Sequence, residues 1–368
     1  MALTRIQPAA IADVREPNFR NIVINGDCSV AQRATSAASI TTAGYHTIDR
    51  YRTAISNGGT WTQSQSTDVP TGQGFATSLK MDCTTADASI GSSDYLHVQL
   101  PIEAQNLQYL KYGTDSAQTL TLSFWVKSNK TGTYCICLQK SDTTRYDYVA
   151  EYSISSVSTW EKKTIIIAPD SNIKAAGGVI DNNNGEGFKL KFTLLTGSSR
   201  YGTNDTWNTS TPADATSNQV NLADSTSNEW YVTGVQLEAG SVATDFEVIP
   251  FDQNLERCQR YYMRWQGDAS DQRSIANGMA VTTSQVRMVV VYPITLRSFP
   301  TVTEADIETL NAAKVVTVVN LNATVDPGIN AVNLQIDADS GTPYTVGQAI
   351  SLRTGASTSS YLALSAEL

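Results

Sequence analysis

Residues 234–262, GVQLEAGSVATDFEVIPFDQNLERCQRYY, join the end of one β-rich region to the start of another. The residues that lead into them alternate. Tyr231, Thr233, Val235 and Leu237 stand against Trp230, Val232, Gln236 and Glu238, the period of two of a strand with distinct faces. From Asp252 the apolar spacing becomes three and four, at Leu255, Cys258, Tyr262 and Trp265. That spacing predicts a short helix from Asp252 to Arg264, with Asp252, behind Pro250 and Phe251, as its N-cap. The chain is thereby divided into a tail at 1–20, a β region at 21–250, a linking helix at 251–266 and a smaller β region at 267–368.

Outward from this junction the strands are short and the turns dense. Leu120, Leu122, Phe124 and Val126 share one face of Thr119–Lys127, and Phe188, Leu190, Phe192 and Leu194 share one face opposite Lys189, Lys191 and Thr193. Two such apolar faces need a second layer to cover them. Asn25-Gly26-Asp27 ends the NIVI run with residues suited to a tight turn, and Asn and Gly clusters separate the later runs. The expected fold is all-β: an antiparallel jelly-roll β-sandwich, a short linking helix and a second, smaller β domain. The polar stretch 197–228 reads as a functional or contact loop, or as a mobile surface insert. In the second β region Val289–Val291 is apolar at consecutive positions, which predicts burial on both faces, and Thr303–Ala312 reads as a helical turn.

Composition removes several classes. A formal net charge of −9 argues against a nucleic-acid partner, since phosphate binding rests on Lys and Arg. No apolar run approaches the roughly 18 residues of a membrane span, and the N-terminus is too polar for a signal peptide, so neither membrane insertion nor export is expected. The five cysteines, at scattered spacings, read as free buried thiols. Cys135 and Cys137 share a strand face without the second pair that a metal site needs, and His46 and His97, the two histidines, read as hydrogen-bonded structural residues. No nucleophile elbow, phosphate loop or dinucleotide fingerprint is present. Tryptophan offers a surface for sugar rings. Trp125 and Trp230 oppose the apolar sets of their strands, so each is either exposed or covered by a loop or a subunit interface, the covered reading being favoured; with Trp207, which interrupts the polar stretch, they are the candidate glycan-binding residues.

The ordered set NIVINGDCSVAQRATS, GYHTIDRY, IEAQNLQYLKYGTDSAQTLTLSFWVKSNKTGTY, STWEKKTIII, GVQLEAGSVATDFE, LERCQRYY and YLALSAEL resembles bacteriophage and prophage virion proteins of the tail-fibre or receptor-binding type. The resemblance covers most of 18–250 and, more loosely, the remainder, where it would make PTVT (300–303) a strand rather than the approach to a helical turn. It implies a structural, non-enzymatic protein of the virion, assembled in the host cytoplasm, that meets a host-surface glycan or protein. The N-terminal segment would attach to other virion proteins, and the sandwich would be of the carbohydrate-binding-module kind. It also implies a homotrimer, and a structural calcium ion (Ca2+) at Asp27 and Glu238; the apolar stripe of the helix, Leu255, Cys258, Tyr262 and Trp265, with Tyr261, would either line the trimer interface or dock on the chain's own second domain. The alternatives are a head fibre or capsid decoration protein, and a glycan depolymerase or esterase.

Overall fold

A computed structural model describes residues 19–311 and 316–368. The tail at 1–20 thus falls almost wholly outside the described residues. The chain forms two compact units. The first holds residues 19–29, Ser36–His46 and Tyr51–Ile249; the second holds Val30–Thr35, Thr47–Arg50 and Pro250–Leu368.

The first unit is an antiparallel β-sandwich. In chain order its strands are β1 (Ser36–Ile40), β2 (Gly44–Tyr45), β3 (Arg52–Ser56), β4 (Thr60–Ser66), β5 (Ser78–Thr85), β6 (Tyr95–Glu103), β7 (Leu120–Ser128), β8 (Gly132–Lys140), β9 (Tyr146–Ile154), β10 (Glu161–Ile167), β11 (Glu186–Thr196), β12 (Thr206–Asn208) and β13 (Glu229–Ala239). One sheet runs β1-β4-β5-β13-β7-β10 and the other β12-β9-β8-β11-β6-β3-β2. The apolar sets of β7 and β11 meet between them, with Phe124 and Phe192 edge to face at 5.1 Å. Short antiparallel strands with interdigitating inner faces make this an all-β, jelly-roll-like sandwich.

β13 departs from simple alternation. Its pairing with β7 slips between Thr233 and Gln236, and Gly234 there has φ +62°. The extra residue of this bulge exchanges the faces. Trp230 and Val232 point into the core before it, as do Val235 and Leu237 after it, and all four are buried. The even alternation read from sequence therefore fails within one strand. Two further expectations change: the NIVI run, read as a strand, has no strand structure, although the turn at Gly26–Asp27 is present, and 197–228 is an ordered covering with buried Trp207, Ala213, Asp214 and Leu222.

In the second unit the helix spans Phe251–Gln259, shorter than predicted, and its N-cap is Pro250 with no side-chain hydrogen bond, not Asp252. The chain then turns into β14 (Tyr262–Gln266). Tyr262, Met263 and Trp265 suit a pleated surface better than a frayed helix end, and β14 pairs in full with the last strand of the chain. The remaining strands are β15 (Ser274–Ala280), β16 (Gln285–Val291), β17 (Thr301–Ala305), β18 (Ile307–Asn311), β19 (Val316–Pro327), β20 (Ala331–Ala338), β21 (Ala349–Thr354) and β22 (Tyr361–Ser365). β14-β22-β17 form one sheet, and β15-β16-β20-β19-β18-β21 close into a barrel. β17 and β18 replace the predicted helical turn. The valine run is buried on one face only: Met288 and Val290 enter the core, while Val289 and Val291 are 51% and 70% exposed.

An Arg–Tyr–carboxylate cluster binds the early segments of this unit to its end. The Arg50 guanidinium lies 3.5 Å above the Tyr261 ring and pairs with Glu367. Arg33 lies 3.6 Å above Tyr262 and reaches Glu367 at 3.1 Å. Arg297 donates to the carbonyls of Ala366 and Glu367. Burial pushes the Asp49 carboxyl up to about 6, against the opposing pull of Arg33 and Gln32.

Candidate functional site

The sandwich has two outer faces, and segments of the chain cover much of both. On the seven-stranded sheet Lys191, His97, Cys137 and Asp147 point away from the core, and residues 200–219 lie over them. Asp214 is the centre of this covering. Its carboxylate accepts from Lys191 Nζ at 2.8 Å and from Arg200 Nε, while the Thr193 hydroxyl donates to its carbonyl. The Asp147 carboxylate accepts from Arg145 through two nitrogens and from the Ala213 amide. Burial alone would raise the Asp214 carboxyl, but the charges of Lys191 and Arg200, with the hydrogen bond from Lys191, outweigh it and hold it well below the usual carboxylate range. Burial pushes His97 down to about 3, so the ring is neutral.

His97 corrects an expectation. Among the described residues neither ring nitrogen has a hydrogen-bond partner, and Nε2 lies 3.7 Å from Asp214. Cys137, Asp147 and Asp214 bring potential ligand atoms within 4.8 Å of one another. The positive charge that a metal ion would bring is already supplied there by Lys191, Arg145 and Arg200. All five cysteines are free and buried, as the sequence predicts.

The outer face of the six-stranded sheet is covered in part: Thr121, Ser123, Thr233, Gln236 and Glu238 are buried, Trp125 is half-buried and Lys162 is exposed. Here the bulge matters again, because Thr233 stands opposite Trp125, and Trp125 opposite Lys162, across β13, β7 and β10. Beside them lies a cavity of 310 Å³, at the low end of the roughly 300–1,000 Å³ of small-molecule sites. Ser123, Trp125, Lys162 and Gly234 come from the sheet, and the segments Asp27–Ser29, Gln73–Thr77 and Asp245–Val248 supply the rest of the lining. Phe75 and Phe246 meet edge to face at 5.1 Å. A Cβ on Gly234 would lie 2.6 Å from the tip of the Phe75 ring, so the bulge glycine also makes room for this aromatic. Thr77 and Thr233 hydroxyls tie the loops together through the Asp27 and Thr77 carbonyls at 3.0 and 2.8 Å. Aromatic surface, two carboxylates, an amide and an ammonium thus face one small space, a composition suited to a ligand with both apolar faces and hydroxyls.

Of the three candidate tryptophans only Trp125 reaches this space. Trp230 is fully buried against Phe192 at 5.5 Å. Trp207 is also buried, packed on Tyr148, with its indole N–H donating to the Ala168 carbonyl at 3.0 Å. No sugar can stack on either. Asp27 lines the cavity, whereas both Glu238 oxygens accept from Thr244 and one also accepts from Gln236. Neither residue belongs to a metal-capable group of three or more side chains among the described residues. Phe75, Phe246, Asp245 and Lys162 escaped the sequence reading because they lie on loops or an edge strand, where periodicity carries no signal.

Cys258, Tyr261 and Tyr262, expected at a threefold contact, are buried within the second unit, the two tyrosines beneath Arg50 and Arg33. Leu255 and Trp265 are half-buried. The five residues do not form one helix face, since Tyr262 and Trp265 belong to β14. No helix among the described residues is long and apolar enough to cross a membrane.

No protein-family model matches the chain, and no curated protein matches it. Solved structures do. The enzymatically active domain of tailspike protein 4 of bacteriophage CBA120 is 11% identical, with a TM-score of 0.30 over 60% of this chain and 22% of that one. The carbohydrate-binding module TmCBM61, bound to β-1,4-galactotriose, is 10% identical, with a TM-score of 0.29 over 60% of this chain and 100% of its own. The family 11 carbohydrate-binding module of Clostridium thermocellum, bound to a mixed-linked tetrasaccharide, is 12% identical, with a TM-score of 0.29 over 59% and 99%. The chain spans less than a quarter of the tailspike domain's length. At these values the likeness assigns no role to any residue here.

Proposed function

We propose that this chain is a structural, non-enzymatic protein of a bacteriophage virion, of the tail-fibre or receptor-binding type, whose sandwich contacts a host-surface glycan. The observation that carries the reading is the aromatic-lined cavity at Trp125, beside the outer face of the six-stranded sheet. The ordered fibre-like motifs, from NIVINGD to YLALSAEL, support the virion setting. Trp125, with Phe75 and Phe246, offers apolar surface to a sugar ring, while Asp27 and Asp245 accept from its hydroxyls and Gln73 and Lys162 donate. Cryo-electron microscopy of the particle tests the placement: density for this chain on the capsid facets and not on the tail overturns the fibre assignment. Incubation with host polysaccharide tests the non-enzymatic part, and new reducing ends would refute it.

The proposed assembled form is a homotrimer. The exposed Val289 and Val291 on the barrel support self-association, because a second copy would remove that apolar surface from water. Light scattering at micromolar concentration is expected to give three times the mass of the chain, and a monomeric mass refutes it.

A further inference from the structure

The cavity at Trp125 is bounded by three separate chain segments around a sheet floor, at Asp27–Ser29, Gln73–Thr77 and Asp245–Val248. It is not a furrow running along the strands. Its 310 Å³ is little for a drug-sized ligand, and still less for an internal stretch of polymer with sugars continuing at both ends. The charges are unequal: Asp27 and Asp245 face Lys162, two carboxylates against one ammonium, in a protein of net charge −9. We propose that this pocket takes the end of a glycan, one or two rings of it, and that those rings carry no negative charge. The proposal rests on the reading of the sandwich as a glycan contact and adds which glycans fit.

Carboxylates are acceptors only: Asp245, and Asp27, one oxygen of which already accepts from the Ser29 amide and hydroxyl, can accept from a sugar hydroxyl but repel a sugar carboxylate, sulfate or phosphate. Lys162 and Gln73 supply the donors that a ring oxygen or an N-acetyl carbonyl requires. Trp125 gives the stacking plane, and the Phe75–Phe246 pair is held edge to face by its own packing, so ligand entry requires no ordering of these rings. Lys162 lies on β10, the edge strand of the sheet. That edge is where the remainder of a glycan can leave the pocket without meeting another strand.

Saturation-transfer NMR and calorimetry on the full chain test this with a defined panel. The panel comprises glucose, galactose, mannose, N-acetylglucosamine and N-acetylgalactosamine, their di- to hexasaccharides, and glucuronate and galacturonate as charged counterparts. At least one neutral sugar is expected to saturate. Affinity should change less than about threefold from disaccharide to hexasaccharide. The matching uronate should bind about threefold or more weaker, with a gap that narrows at about 0.5 M salt and in Asp245→Asn, a change at an exposed side chain that leaves the fold intact. Trp125→Ala should abolish saturation. A tenfold gain between di- and hexasaccharide, or uronate binding as tight as neutral, overturns this proposal and leaves the glycan reading standing. No saturation by any sugar on the order of 10 mM overturns both, since even millimolar affinity would then show.

Discussion

Gly234 does two jobs that no other residue combines. Its φ of +62° lets the bulge form, and its missing side chain gives the Phe75 ring its place. Gly234→Ala should therefore cost about 1–3 kcal/mol, from the strained backbone and the displaced ring, measured as a lower urea midpoint of the sandwich. The same variant should lose sugar saturation even where it remains folded, because Phe75 lines the pocket. Single residues also mark where sequence reading stopped. Trp125 and Trp230 look alike in the sequence, each opposite an apolar set, yet one faces solvent and the other the core. The difference lies in a register slip that nothing local announces except the glycine itself.

Two elements are held by buried charge, and in both the geometry predicts the cost of breaking it. The covering of the seven-stranded sheet hangs on Asp214, and Asp214→Ala leaves Lys191 buried without its carboxylate. Removing one partner of a buried pair costs about 3–5 kcal/mol. The expected readout is early proteolysis within 197–228, and a covering as resistant as before would show that Asp214 does not hold it. In the second unit Arg50→Ala removes the pair with Glu367 and the stacking on Tyr261, with a loss of about 3 kcal/mol. Hydrogen exchange in β14 and β22 is expected to quicken, and unchanged protection would refute the role of the cluster. The helical periodicity that ran through Tyr262 and Trp265 could not reveal this arrangement. The partners of those aromatics are supplied by β22, about a hundred residues later.

The two units should answer pH in opposite directions. His97 in the sandwich has its folded pKa pushed down to about 3 from an ordinary value near 6.5. The unfolded chain binds the proton more readily, so this contribution is fully present above about pH 6.5 and is lost as pH falls toward 3. Asp49 in the second unit is pushed up to about 6 from 3.8. Here the folded state binds the proton more readily, so stability from this group is greatest below about pH 4 and is lost as pH rises through 6. Fluorine NMR of 5-fluorotryptophan protein separates the units, since Trp265 reports the second and Trp61 or Trp230 the first. Between pH 7 and 4 the melting of Trp61 and Trp230 should move to lower temperature and that of Trp265 to higher. His97→Gln and Asp49→Asn should flatten the respective trends, and parallel movement of all three signals would refute the assignment.

The sequence by itself determined the all-β class, the two-faced strands β7 and β11, the buried free thiols and the change of structure after Pro250. Each follows from local periodicity, turn chemistry or residue type, which act over a few positions. Tertiary structure alone decided which tryptophan lines the cavity, what covers each sheet face, and where Tyr261 and Tyr262 are buried. Those outcomes depend on a bulge that exchanges the faces of β13, on 197–228 folding over a buried ion network, and on Arg33 and Arg50 meeting Glu367 more than 300 residues along the chain. Contacts between such distant positions leave no period to read, because they are fixed only when the sheets have assembled.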